Sequence, residues 1–272
     1  MAASGKNSFV WAAGIVVAGL LIALAVRSGS WSGSAHRRTL TVAAAADLRF
    51  ALDELAASFE RQHPAIKVNI SYGSSGNFFA QFSSRAPYDM FFSADVAYPQ
   101  RLAEQGLTIE GSEFRYADGR IVVWVPRSSP LDVEKLGVKA LLDPSVRKIA
   151  IPNPQHAPYG VAAEAAMKSL GVYDAAKDRL VLGENVAQTA QFVQTGAADA
   201  GIIALSLALA PNLEESGRFA EIPLEAYPRL EQAGVILKWA RDPEAARLFK
   251  EFVTGAEGQK TLGRYGFLPP GG

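Results

Sequence analysis

The feature of this sequence that most restricts its fold is a regular alternation between strand-like and helix-like stretches. LTVAAAA (40–46) is a continuous apolar run typical of a buried strand, and IKVNISY (66–72) alternates apolar and polar residues as a half-buried strand does. Between them, residues 48–59 place apolar side chains at helical spacing, and His63-Pro64 ends that helix because the residue before a proline disfavours the α conformation. This succession predicts an α/β fold with layers around mostly parallel strands.

The same alternation continues to the end of the chain. Further strands are predicted at 90–95, 120–126, 148–153, 179–185, 198–205 and 234–240. Further helices are predicted at 161–170, 186–196, 243–255 and 256–266. A chain of 272 residues is long enough for these elements to form two domains of ordinary size, each with its own core.

Residues 1–38 are predicted to lie outside this fold. FVWAAGIVVAGLLIALAV (9–26) is an uncharged apolar run of 18 residues, near the lower limit for crossing a bilayer and longer than the usual core of a signal peptide. Gly33, Ser34 and Ala35 are small enough to permit cleavage after Ala35. The segment is either a retained membrane anchor or a cleaved export signal, and both alternatives predict that the rest of the chain is exported.

Charge and cysteine content exclude several classes of function. Lys and Arg together number 27 and are balanced by 27 Asp and Glu, and they form no cluster, so the sequence predicts no nucleic-acid partner. The absence of cysteine excludes disulfides, thiolate metal sites and a cysteine nucleophile. Neither a paired-histidine metal motif nor a phosphate-binding P-loop is present, so the sequence predicts no cofactor.

Four strand-to-helix junctions carry the candidate binding residues: AAAADL (43–48), YGSSGN (72–77), PNPQHAPYG (152–160) and LGENVA (182–187). In open α/β sheets, ligands bind at the carboxyl ends of the strands, where helices begin. A helix start exposes unpaired N–H groups and the positive end of the helix dipole, so it binds anions without a cationic side chain. YGSSGN adds two hydroxyls and glycines that let the backbone approach a ligand closely.

Each candidate also has a purely structural interpretation. Ser75 and Asp47 precede predicted helices, where such residues cap the first turn more often than they bind a ligand. Tyr159 follows Pro158 and is equally suited to packing against it. Val186 is expected to be a core residue whose only route to a ligand is its backbone N–H.

A catalytic function has little support in the sequence. GSSG (73–76) lacks the spacing of the nucleophile elbow G-x-S-x-G. Of the three histidines, only His156 is placed to act as a base. The prediction is therefore a protein that is not an enzyme and has no catalytic residues, with a hydrolase using Ser75 and His156 as the alternative.

From Thr39 to Leu268 the chain resembles the molybdate-binding solute receptors of bacterial ABC importers. The resemblance rests on TLTVAAAADL, NISYGSSGN, APYDMFFSAD (86–95), IPNPQHAPYG, GENV, AGII and RYGF (264–267). It implies the type II periplasmic-binding fold, in which two α/β lobes joined by two crossover strands hold the ligand in a cleft. The implied boundaries are 39–119 plus 236–272 for lobe I and 120–235 for lobe II, with crossovers near 119–123 and 232–236.

The resemblance also implies a function and a setting. A receptor of this kind is a monomer in the periplasm or on the outer face of the cytoplasmic membrane, and it delivers molybdate or tungstate to an ABC permease. The N-terminal segment would link it to the membrane. The oxyanion is bound through its oxygens, with no direct ligation of the metal by protein. The alternatives are a receptor for sulfate, phosphate or another oxyanion, and a membrane-anchored sensor that delivers no cargo.

Carried over residue by residue, the resemblance assigns ligand binding to four positions. Ser75 matches the serine of the second loop, Tyr159 the position after proline in the third, and Val186 the valine of the fourth. Asp47 stands where the first loop often supplies a hydroxyl or an amide, and Ala204 stands where some relatives have a tyrosine.

These two departures lead to two expectations. Tyr159 is expected to supply the hydroxyl that Ala204 lacks. An ionised carboxylate repels a nearby anion, so the backbone N–H of Asp47 is expected to face the ligand. Its carboxylate is then expected to turn back and cap the helix start at residues 48–50.

Overall fold

The computed structural model describes residues 37–271 of the chain. The apolar run at 9–26, predicted to be an anchor or export signal, lies outside the described residues. Within residues 37–271, no helix is both long enough and apolar enough to cross a membrane. Two five-stranded sheets organise this part of the chain, and each forms one lobe with the helices packed on it. The predicted two-lobed α/β fold is confirmed.

In spatial order, the strands of the first sheet are β2 (Ile66–Gly73), β1 (Arg38–Ala45), β3 (Met90–Ser93), β10 (Leu230–Ile236) and β4 (Phe114–Gly119). Four strands run in one direction and the fifth, β10, runs in the other. Strand β1 pairs in parallel with β2 and β3, whereas β10 pairs antiparallel with β3 and β4.

The second sheet repeats this layout. In spatial order, its strands are β7 (Leu180–Gly183), β6 (Ile149–Pro152), β8 (Ala200–Ala204), β5 (Ile121–Pro126) and β9 (Gly217–Glu221). Strand β6 is parallel to β7 and β8, and the reversed strand β5 pairs antiparallel with β8 and β9. The reversed strand of each sheet is the one that receives the chain from the other lobe.

The chain passes between the sheets twice, and the second crossing differs from the prediction. The first lies between Gly119 and Ile121, inside the predicted 119–123. The second lies at residues 222–229, between β9 and β10, whereas the predicted position was 232–236. Residues 230–235, predicted to belong to lobe II, therefore hydrogen-bond in the first sheet. The predicted strand began at residue 234 because the polar residues Glu231 and Gln232 interrupt its apolar pattern.

Eleven α-helices cover the sheets in the described residues. In lobe I they are α1 (Arg49–Gln62), α2 (Ser75–Phe82), α3 (Ala97–Glu104), α10 (Pro243–Thr254) and α11 (Ala256–Arg264). In lobe II they are α4 (Val133–Leu136), α5 (Pro158–Ser169), α6 (Tyr173–Ala176), α7 (Val186–Gln194), α8 (Leu205–Ala208) and α9 (Pro211–Ser216). A short 3₁₀ helix, Ala46–Leu48, joins β1 to α1 and carries one of the candidate site residues.

Each lobe has its own apolar core behind the strands that carry the junction loops. In lobe I, α1 and α10 pack on the sheet through Phe59, Phe92 and Phe249, whose rings meet edge-on. In lobe II, Trp124 of β5 and Met167 of α5 are fully buried. Burying one large apolar side chain contributes roughly 1.5–3 kcal/mol, so the strand ends are held firmly on both sides of the cleft.

Candidate functional site

The four predicted junction loops meet around one small cavity between the lobes. Its volume is about 10 Å³, about the space that one water molecule needs, so a larger ligand enters it only if the lobes move apart. All four predicted ligand-binding residues lie in its wall. The lining residues are Ala45, Ala46, Asp47, Gly73, Ser74, Ser75 and Ala94 from lobe I and Ala157, Pro158, Tyr159, Asn185 and Val186 from lobe II.

Three α-helices begin at the cavity wall. No described side chain caps the first turn of α2 or of α5. In α2 the N–H of Gly76 donates to the His156 carbonyl, and in α5 the first residue, Pro158, has no N–H. At α7, Asn185 accepts from the N–H groups of Ala187 and Gln188, which leaves the N–H of Val186 outside the cap. Together these helix starts surround the cavity with N–H dipoles and with the positive ends of three helices.

Helix α5 begins earlier than predicted, and this places Tyr159 in a helix. The predicted helix began at residue 161, but the structure has it begin at Pro158. Proline suits the first helical position because its missing N–H would be unpaired there in any case. Tyr159 therefore projects from a rigid first turn, and its side chain is buried in the cavity wall.

A buried network joins Asp47 to two residues that are distant in sequence. Asp47 Oδ2 accepts from Tyr159 Oη at 2.9 Å and from Gln232 Nε2 at 2.7 Å. Gln232 Nε2 also lies 3.1 Å from Tyr159 Oη. Asp47 is 1% exposed, and its second oxygen, Oδ1, is buried with no hydrogen-bond partner among the described residues.

The expectation that the Asp47 carboxylate caps the following helix is met only in small part. The backbone N–H of Leu48 lowers the pKa of the carboxyl group, but it does so less than the hydrogen bonds from Gln232 and Tyr159. The carboxylate turns instead towards Tyr159 and Gln232, because two buried side-chain donors reach it from other elements. The Tyr159 hydroxyl is thus bonded to Asp47, whereas the sequence predicted that it would face the ligand.

Burial dominates the acid–base properties of this network. It raises the pKa of Asp47 from 3.8 to about 6, against the lowering effect of the hydrogen bonds from Gln232 and Tyr159. Burial, together with the neighbouring Asp47 charge, holds the pKa of Tyr159 well above its usual value. Tyr159 therefore remains a neutral donor, while Asp47 changes its protonation state near neutral pH.

The network requires a glycine at the first crossing between the lobes. A Cβ atom at Gly119 would lie 2.3 Å from Tyr159 Oη and 2.7 Å from Gln232 Nε2. Both distances are shorter than any side chain tolerates, so Gly119 permits the close approach of β4, β10 and α5. A larger residue at this crossing would therefore displace Tyr159 and Gln232.

The opposite wall of the cavity is formed by neutral groups. Ser75 is fully buried, and its Oγ accepts from the N–H of Ala94 at 3.0 Å. This bond uses a lone pair of the hydroxyl, so its proton remains available to a ligand. His156 Nδ1 lies 3.0 Å from Ser74 Oγ, so the histidine contacts the serine that precedes Ser75.

Several hydrogen bonds cross between the lobes around the cavity. Gly76 N–H donates to the carbonyl of His156 at 2.9 Å, and Ser206 Oγ donates to the carbonyl of Asp47 at 2.8 Å. Because the Asp47–Tyr159 bond also joins the two lobes, the walls are tied together on both sides of the cavity.

Sequence reasoning missed Gln232 and Ser206 altogether. The available signal for Gln232 was a polar residue next to the apolar run GVIL, but such a residue normally lies in a solvated strand end. In the structure it is fully buried at a register shift of β10, which turns it towards Asp47. Ala204 ends β8 and is fully buried, but it is not part of the cavity wall.

A larger cleft of about 520 Å³ adjoins the cavity and shares Ala46 and Asn185 with it. Its wall is rich in amide side chains, among them Gln188 and Gln191, and within residues 37–271 Arg49 is the one charged residue that lines it. The cavity, where buried hydroxyl, carboxyl and N–H groups converge, has the chemistry of a binding site. The larger cleft is better described as a polar route from solvent to the cavity.

Two α/β lobes crossed twice by the chain, with a small polar cavity between them, define a two-lobed solute-binding protein. The sequence matches the family described as bacterial extracellular solute-binding protein over residues 40–268, and the chain belongs to that family. The predicted resemblance is confirmed at this level. Membership also assigns the chain to receptors and not to enzymes, which leaves the hydrolase alternative without support.

Individual relatives are similar over most of their length. The molybdate-binding protein ModA of Azotobacter vinelandii is 31% identical over 246 residues, covering 90% of this chain and 96% of the relative. ModA of Rhodobacter capsulatus is 33% identical over 201 residues, covering 74% and 77%. The solved structure of the Azotobacter vinelandii periplasmic molybdate-binding protein matches with a TM-score of 0.79 at 35% identity, covering 85% of this chain and 99% of that one.

Among the described residues, no group of three or more His, Asp or Glu side chains is arranged to hold a metal ion.

Proposed function

We propose that this protein is the receptor of an ABC importer and that it captures molybdate, or the similar tungstate, outside the cytoplasm. The observation that carries the proposal is the convergence of three helix starts and the Ser75 hydroxyl on one small cavity between two lobes. The similarity to two proteins named for molybdate binding supports the choice of ligand.

The proposed mechanism replaces the hydration shell of a dianion with protein donors. An unpaired ion is costly to bury, so every oxygen of the ligand needs a donor. Ser75 Oγ–H and the backbone N–H groups of Asp47 and Val186 would supply them from both lobes. Closure of the lobes about the two crossings would complete the shell, and opening would release the anion to the permease.

The location of the protein follows in part from its family, which is extracellular. The apolar run at 9–26 would either hold the receptor at the outer face of the cytoplasmic membrane or be removed on export. In both cases the protein would act as a monomer that meets the permease at the membrane.

A second candidate ligand is favoured by the Asp47 carboxylate. An oxyanion that carries its own proton, such as hydrogen phosphate, can donate a hydrogen bond to an ionised carboxylate, whereas sulfate cannot. Phosphate is therefore the alternative to molybdate that this cavity supports best.

A thermal-shift and calorimetry panel of molybdate, tungstate, sulfate and phosphate tests the proposal on the purified protein. A ligand present at about a hundred times its dissociation constant stabilises the fold by about 2.7 kcal/mol. Stabilisation by molybdate and tungstate is the expected result. A response to phosphate or sulfate alone would reassign the receptor to that anion, and no response to any of the four would remove the proposed function.

A further inference from the structure

The two oxygens of the Asp47 carboxylate have very different surroundings. Oδ2 receives two donors, from Tyr159 and Gln232, which fix the orientation of the group. Oδ1 is equally buried and has no hydrogen-bond partner among the described residues, although the backbone N–H groups of Asp47 and Leu48 lie near enough to the carboxylate to lower its pKa. Since Asp47 lies in the cavity wall, Oδ1 is the oxygen that remains for a bound anion.

No cation compensates the Asp47 charge in the part of the chain that the structure describes. The helices α1, α7 and α8 pack against the 3₁₀ helix that carries Asp47, and α7 and α8 contain no charged residue. The charged side chains of α1 include Arg49 and Asp53 near its start, and neither of these lines the cavity. The titratable side chains that face Asp47 from the remaining elements are the phenols of Tyr159 and Tyr116. Arg49 is exposed in the larger cleft, and His156 reaches the cavity wall only through Ser74.

An ionised Asp47 and an oxyanion dianion therefore cannot share this cavity favourably. Like charges repel more strongly in a buried site than in water, and here no counter-ion offsets the repulsion. A neutral carboxyl group removes the repulsion, and it also turns Oδ1 from an unpartnered acceptor into a donor.

We propose that Asp47 binds the oxyanion as a carboxylic acid whose Oδ1–H donates to a ligand oxygen, so that each captured anion is accompanied by one proton from solvent. This inference rests on the proposed function, because it places the oxyanion in this cavity. Tyr159 and Gln232 act as positioning residues, since they hold Oδ2 and leave Oδ1 facing the ligand.

The acid–base properties of the site agree with this assignment, and they determine whether affinity rises or falls with pH. Burial raises the pKa of Asp47 to about 6 in the free protein, and a bound dianion raises it further. Between these two pKa values, binding takes up a proton, so affinity falls by up to about tenfold for each unit of rising pH. Below a pH of about 6 the free protein is already protonated, and this dependence disappears.

Asparagine at position 47 provides a matched control. Its carbonyl can accept from Tyr159 and Gln232, and its amide N–H₂ then lies where Oδ1 lies, as a donor that needs no added proton. Asp47→Asn should bind molybdate at any pH with no proton uptake. His156→Gln removes the other titratable side chain near the cavity wall and should leave the proton count at one.

Calorimetric titration of the full chain with molybdate, in buffers of different ionisation enthalpy at a pH of about 8, measures the proton count directly. Wild type should take up close to one proton and Asp47→Asn none, and from about pH 6.5 to about 8.5 only wild type should lose affinity as pH rises. Comparison with the variant also controls for titration of the anion itself.

Three results would overturn the inference. If wild type binds molybdate without taking up a proton, Asp47 is not the acid proposed here, although the receptor function stands. If uptake persists in Asp47→Asn and vanishes in His156→Gln, the proton belongs to His156. If no oxyanion of the panel binds, the inference and the proposed function fail together. The wild-type count needs no variant, so the test remains decisive even if a variant fails to fold.

Discussion

The two walls of the cavity present donors to an anion in different ways. On the Ser75 wall, the donor is a neutral hydroxyl whose oxygen is held by Ala94. On the Asp47 wall, the side chain is held by Tyr159 and Gln232 and becomes a donor only when protonated. Under the binding mode proposed above, the first wall supplies a baseline affinity at any pH, and the second makes affinity depend on pH. Each prediction below changes one wall and leaves the other intact.

The largest effect is expected from Asp47→Asn on the unliganded protein. The folded-state pKa of Asp47, about 6, lies above the unfolded value of 3.8. The associated stability is fully present below about pH 4 and is lost as pH rises through about 6. Asparagine does not titrate, so the stability of the variant should not follow this change. The free energy of unfolding of the variant minus that of wild type should therefore be larger at pH 7.5 than at pH 4, by on the order of 3 kcal/mol.

Urea denaturation of both proteins at the two pH values measures this difference in the free energy of unfolding. The corresponding control is Asp143→Asn, at a carboxyl group whose pKa is lowered by its bonds to Ser145. Its pH dependence should have the opposite sign. An Asp47→Asn difference that does not change with pH contradicts the raised pKa.

Ser75→Ala tests the neutral wall. Hydrogen bonds to charged groups are worth roughly 1.5–3 kcal/mol, so affinity for the oxyanion should fall by about tenfold to a hundredfold at every pH. The fold should persist, with a stability loss of about 1 kcal/mol because the Ala94 N–H loses its acceptor. Calorimetry beside the exposed control Ser84→Ala checks the prediction, and unchanged affinity would reduce Ser75 to a structural residue.

Gly119→Ala tests whether the Asp47 wall depends on close packing at the crossing. The added Cβ would lie 2.3 Å from Tyr159 Oη, so the network must move apart. Overpacking of this kind costs roughly 1–3 kcal/mol of stability. Chemical denaturation measures it against Gly263→Ala, where a Cβ meets nothing within 4 Å. Equal stability of the two variants would show that Tyr159 and Gln232 can move to accept a Cβ at position 119 without cost.

The smallest effect is expected from Tyr159→Phe, which removes one donor from Asp47 Oδ2. A neutral hydrogen bond contributes about 0.5–1.5 kcal/mol, so affinity should fall up to about tenfold, and the pH at which binding weakens should rise. Ala204→Tyr should not compensate, because Ala204 is fully buried outside the cavity wall. Equal affinity of wild type and Tyr159→Phe would remove this hydroxyl from the site.

Much of the fold was predictable because its signals are local. The runs at 40–46 and 66–72 became β1 and β2, and the four junctions identified in the sequence are the loops that meet at the cavity. Apolar periodicity reports which face of an element is buried, and helix-start chemistry reports where N–H groups are exposed. Both can be recognised within about ten residues of sequence, without knowledge of the partner elements.

The tertiary structure alone decided what Asp47 does. Its two donors, Tyr159 and Gln232, lie 112 and 185 residues away in sequence, and no sequence feature near residue 47 predicts these contacts. The local alternative, a helix cap, was reasonable for an aspartate before a helix. It is largely replaced, because folding brings two buried donors to the carboxylate and because Gly119 leaves room for them. The sequence by itself determined which four loops meet at the cavity, whereas long-range contacts decided which groups surround the one carboxylate in its wall.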